Sequence, residues 1–146
     1  MTRMVAAGPI HQVFGHRFPS GTDWGLVSLR MPVDDIAARF GWTVERWEED
    51  GLGPATGLLV ELPSGRVVLL RELQHVRKYY GEEGPTVHVD AGDLAAFGIE
   101  ALVAEILEGL GMSRDLVKWI APTEAQRAAA DFVARRRATH ADPPES

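Results

Sequence analysis

The stretch Gly57–Leu73, GLLVELPSGRVVLLREL, limits the folds open to this chain more than any other. Two Val- and Leu-rich runs flank Pro63-Ser64-Gly65-Arg66, and turn residues between apolar runs predict a β-hairpin. With Ser64 and Gly65 as the central turn residues, Leu62 faces Val67 and Val60 faces Leu69. Strand side chains alternate, so these four share one apolar face. The other face then carries Glu61 against Val68, Leu59 against Leu70 and Pro63 against Arg66. One apolar face and one mixed face fit a sheet covered on a single side. A slip of one residue would exchange the faces, so the turn sets the register. This hairpin is expected at the centre of the sheet.

The flanking segments supply the other elements. A short strand is expected near Ile10–Phe14, and Trp24–Met31 reads as a strand with Val27, Leu29 and Met31 on one face. Pro32 opens a helix over Val33–Phe40, with Val33, Ile36, Ala37 and Phe40 at helical spacing. Asp34 and Asp35 suit the positive end of its dipole, and Gly41 is its stop. Val44–Glu49 is expected to form a short helical turn, followed by a loop. Gln74–Pro85 reads as a long polar and aromatic connection, and Thr86–Asp90 as a strand. Asp93–Leu110 is the main expected helix, N-capped by Asp93, with Ile99, Leu102, Val103, Ile106 and Leu110 inward. Ser113–Ile120 reads as a short helix. Thr123–Arg137 reads as another, with a Thr123…Gln126 capping box. The order β-α-β-β-β-α-α-α predicts an α+β fold: an antiparallel sheet of about four strands with helices packed on one face. Residues 1–138 are expected to form a single α+β domain and 139–146 a disordered tail.

Composition narrows the function. The chain has 146 residues, no cysteine and a formal net charge of −6. Disulfides and cysteine-based metal or redox sites are excluded, and a cytoplasmic location is expected. No stretch reaches the apolar length of a membrane-spanning helix. The acidic balance makes nucleic acid an unfavourable partner and suits a basic protein.

Two constellations are candidates. The first is acidic and aromatic: Glu45, Trp47, Glu48, Glu49 and Asp50, with Trp42 beside them. Clustered carboxylates steer a basic partner and a tryptophan anchors the contact, whereas a solvated turn would carry the same charges. The second gathers His75, Tyr79, His88 and Asp90, with Arg77, Lys78 and Tyr80 nearby. His88 and Asp90 share a strand face, so an imidazole–carboxylate pair could do acid–base chemistry there. A metal site from His75, His88 and Asp90 lacks compact ligand spacing, so neither metal nor cofactor is expected. Gly51–Gly57 lacks the dinucleotide-binding spacing and precedes a strand, and Ser64 lacks a nucleophile elbow. Asp35–Asp50, with Gly51-Leu52 after it, loosely resembles the helix-turn-helix start of MerR-like regulators. That likeness implies DNA binding, but its recognition helix would present Glu45, Glu48, Glu49 and Asp50 to phosphates.

No complete catalytic motif is present, so binding is favoured over catalysis. The leading expectation is a small acidic protein-binding module, in its sharper form an immunity- or antitoxin-like neutraliser that occludes a basic partner. One alternative is a small-molecule-binding protein or minor enzyme using the His/Asp/Tyr group. Another is a structural subunit of a larger complex, which predicts a broad apolar patch on the C-terminal helices.

Overall fold

A computed structural model describes residues 10–15, 18, 22–80 and 84–140. In chain order the elements are β1 (His11–Gln12), β2 (Asp23–Leu29), α1 (Val33–Phe40), β3 (Glu45–Glu49), β4 (Gly53–Glu61) and β5 (Val67–Leu73). There follow α2 (Gln74–Tyr80), β6 (Thr86–Asp90), α3 (Ala91–Phe97), α4 (Ile99–Leu110), a 3-10 turn at Arg114–Leu116, β7 (Val117–Ile120) and α5 (Glu124–His140). The fold is α+β. Its sheet has seven described strands rather than about four, in the order β1-β4-β5-β6-β2-β7, with β3 also on β4. Every pairing is antiparallel.

The extra strands come from segments whose period is easily misread. Glu45–Glu49 is a strand and not a helical turn: ERWEE alternates half-buried and exposed positions with period two. This also removes the recognition helix that a MerR-like reading needs. Ser113 caps the 3-10 turn through Asp115 N–H, but the following Val117–Ile120 pairs with β2 instead of continuing a helix. Gln74–Tyr80, expected as a connection, is α2. The Asp93–Leu110 helix is divided at Gly98, whose φ of +86° belongs to a backbone region that side-chain-bearing residues avoid. Its first cap is therefore Asp90, which accepts from Gly92 N–H at 2.8 Å, and not Asp93. The Gln126 amide donates to Ala95 O of α3 at 3.1 Å, tying α5 to α3. α1 and the strand Thr86–Asp90 lie where the sequence places them. Residues 141–146, within the expected tail, lie outside the described residues.

The β4–β5 hairpin lies inside the sheet, as expected, but its register differs by one residue. Leu62 N–H donates to Arg66 O at 2.8 Å, and Gly65 N–H to Leu62 O at 2.8 Å. The loop thus holds three residues, Pro63, Ser64 and Gly65. Glu61 then faces Val67, Val60 faces Val68 and Leu59 faces Leu69. Val68 and Leu70 move onto the apolar face, and Leu69 leaves it. The hairpin tip is fixed to the helices: Ser64 and Arg66 both bond Glu105 of α4, and the Arg66 guanidinium lies 4.0 Å from the Phe97 ring centre.

One face carries the core. Leu58, Leu70, Val87 and Val27 form a row across four strands, each fully buried. Ile36 of α1, Leu94 of α3 and Leu102, Val103, Ile106 and Leu110 of α4 complete the same cluster. Burying each large side chain contributes about 1.5–3 kcal/mol. The buried Glu72 carboxylate interrupts this face. It accepts from Val33 N–H at 2.6 Å, where the first turn of α1 needs an acceptor.

Candidate functional site

The opposite face starts one step along each strand. Its rows are Leu59–Leu69–His88–Gly25 and Glu45–Gly57–Arg71–Thr86–Ser28. Leu59 and Ala55 are buried but outside the core cluster. An open cleft of about 430 Å³ lies here, lined by Asp23, Glu45, Arg46, Trp47, Glu49, Leu59, Leu69, Arg71 and, from the N-terminal segment, Phe18. Every lining residue except Phe18 comes from a strand.

Strand alternation sends Glu45, Trp47 and Glu49 to the cleft; Arg46 and Glu48 are exposed, and Arg46 also reaches the cleft lining. The tip of the Trp47 indole occupies space that a Cβ on Gly57 would enter, 2.9 Å away, so this glycine lets the ring lie over β4. Trp47 Nε1 donates to Glu49 Oε1 at 2.8 Å, and Arg71 Nη1 stands 3.3 Å from the same oxygen. Glu49 is thus neutralised by Arg71 and oriented by Trp47. Glu45 has no ion pair or hydrogen bond from its carboxylate among the described residues, although it lines the cleft. Asp50 lies exposed in the β3–β4 turn. Trp42 is half-buried elsewhere, stacked on Phe40 at 4.3 Å between ring centres.

The histidine group does not assemble as a cluster. His88 is buried on the cleft side of β6, and its Nδ1 lies 3.2 Å from Asp23 Oδ2 of β2. The contact does not satisfy Nδ1, and among the described residues Nε2 has no hydrogen-bond partner either. That contact is still the main reason the Asp23 carboxyl is held below the usual carboxylate range; burial opposes it and the His88 charge adds to it. Asp90 shares the strand face of His88 but is engaged in capping α3. His75 is on α2 with its ring against Gly53 of β4. The Tyr79 side chain lies outside the described residues. Among the described residues no three His, Asp or Glu side chains converge to hold a metal ion, and no helix is long and apolar enough to cross a membrane.

Sequence reasoning reached the β3 side of the cleft and missed its floor. Asp23, Leu59, Leu69 and Arg71 were hidden by sheet order and by the hairpin register. The only signal for Arg71 was its alternation with Leu69, which assigns it to the right face once Leu69 is placed. Compared with protein-family models, curated proteins and solved structures, the chain matches none.

Proposed function

We propose that the protein is a small acidic protein-binding module whose cleft-bearing sheet face receives a basic partner, as an immunity- or antitoxin-like neutraliser would. The observation that carries this reading is the position of Glu45: a carboxylate unpaired among the described residues and lining an open cleft, between Trp47 and the apolar floor of Leu59 and Leu69. Exposed Glu48 and Asp50 add negative charge on β3 and its turn, where Arg46 is the one cation. Long-range attraction brings a cationic surface in, and the half-buried Trp47 supplies a desolvated anchor. The partner is neutralised by occlusion, with no bond made or broken. Among the described residues, no large exposed hydrophobic side chain lies on α4 or α5, which disfavours a structural subunit docked through those helices.

The test is retention of a basic protein from native lysate at low and high salt, by wild type and by a Glu45→Lys/Glu48→Lys variant of unchanged circular dichroism. Retention at low salt, release at high salt and loss in the variant are expected. Equal retention by both proteins would overturn the assignment of this surface.

One observation favours a second reading. The cleft volume falls in the range of small-molecule sites, and the His88–Asp23 contact lies beside it. A bound metabolite without a protein partner would move the assignment there, with catalysis then requiring the buried ring nitrogens of His88 to become accessible.

A further inference from the structure

The direction of the backbone groups on β3 indicates how a partner would engage, given the acidic-face reading above. Val13 N–H donates to Leu59 O at 2.9 Å, so the odd-numbered residues of β4 turn their polar groups towards the edge shared by β1 and β3. Glu45 and Trp47, opposite Gly57 and Ala55, therefore direct their own groups inward to β4. The intervening Arg46 and Glu48 must direct N–H and C=O outward. Pro54, opposite Glu48, has no N–H and fits that phase. Among the described residues β3 pairs with no other strand. Thr43, just before it, is satisfied on the β1 side: its N–H and C=O both bond the Gln12 side-chain amide. Among the described residues, the outward groups of Arg46 and Glu48 are thus an open ladder beside the cleft.

Side-chain charge selects what can extend that ladder. A strand laid along β3 would place alternate side chains next to Glu45, Trp47 and Glu49 on the cleft side. Like charges on neighbouring strands repel, so a second copy of β3 is disfavoured. An extended segment with lysine or arginine at alternate positions is matched: its cations meet the Glu45 carboxylate while its backbone pairs with Arg46 and Glu48. The edge of β7 is also unshared among the described residues, but it does not border the cleft. We propose that a basic, extended segment of a partner protein docks by adding a strand to β3.

The probe is a short synthetic peptide of alternating lysine and valine, with a glutamine-for-lysine counterpart as control. Hydrogen exchange of the full chain should show the Arg46 and Glu48 amides slowed by about tenfold or more on adding the basic peptide. The control should neither bind nor protect. Glu48→Pro removes one outward N–H and should weaken binding about tenfold beyond Glu48→Gln, which removes the charge alone. If Glu48→Pro fails to fold, exchange on the wild type decides. Binding without protection of Arg46 and Glu48, or equal affinity of the two variants, would overturn strand addition while leaving the acidic-face reading intact. Equal binding of the control peptide would overturn the selection for cations. Failure of the basic peptide to bind would also overturn strand addition; the acidic-face reading then stands or falls by the charge-reversal experiment above.

Discussion

On the helix-covered side of the sheet, Leu58, Leu70, Val87 and Val27 stand side by side across four strands with no exposure. A single step along the same strands, interrupted by the bulge in β2, brings Leu59, Leu69, His88 and Gly25 to the other side, and then Gly57, Arg71, Thr86 and Ser28. The first face is held by bulk and tolerates the Glu72 carboxylate because α1 supplies its donor. The second is organised by charge: Glu49 with Arg71, and Asp23 with His88, leaving Glu45 unpaired among the described residues. On the reading proposed above, stability resides on one face and recognition on the other, and substitutions should separate them.

The largest effect is expected at Leu70→Ala, which leaves a cavity in the covered face and should cost about 2–5 kcal/mol by urea unfolding. Its neighbour Leu69→Ala, on the half-buried opposite side, should cost about 1 kcal/mol. Equal losses would break the contrast between the faces. Glu72→Ala tests it from the polar side. Val33 N–H loses its buried acceptor, so a loss of about 1–3 kcal/mol is expected despite the removal of a charge from an apolar layer.

Smaller effects concern pH. The Asp23 carboxyl titrates below its unfolded value, so its stabilisation is present above the ordinary carboxylate range and disappears as pH falls through the folded value. Asp93, in the helical layer, is shifted upward, first by burial and then by the Asp90 charge. Its contribution has the opposite sign: relative stability rises as pH falls through its folded value. Asp23→Asn should therefore flatten acid unfolding and Asp93→Asn should steepen it. Each change should be under about 1 kcal/mol because solvent screens both carboxyls. Stability measured from neutral to acidic pH for the two variants checks the signs. The smallest effect on folding belongs to Glu48→Lys, within about 0.5 kcal/mol, while retention of a basic partner falls.

Much of the covered face was legible from sequence. Helical spacing located Val33, Ile36 and Ala37, and Ile99 to Leu110, as inward stripes, and Thr86–Asp90 carried a strand pattern in five residues. The cleft was harder to read for a physical reason. Its floor is built from residues of β2, β4 and β5 that meet only through strand order, and no local pattern encodes that Leu59 pairs with Leu69. β3 was missed because charged residues dominate it, leaving Trp47 as the only large apolar mark of its period. The hairpin itself was clear, but a three-residue loop in place of two reversed the face of Leu69 and with it that of Arg71. Gly98 divided a helix whose apolar stripe alone gave no sign of a break.

The division of labour between the faces is tested most directly by a hydrogen-exchange footprint of the protein bound to the basic partner retained at low salt. Slowed exchange concentrated in Glu45–Glu49, with α4 and α5 unchanged, is the predicted result. Protection confined to α4 and α5, with β3 exchanging as in the free protein, would contradict it and place recognition on the helical side.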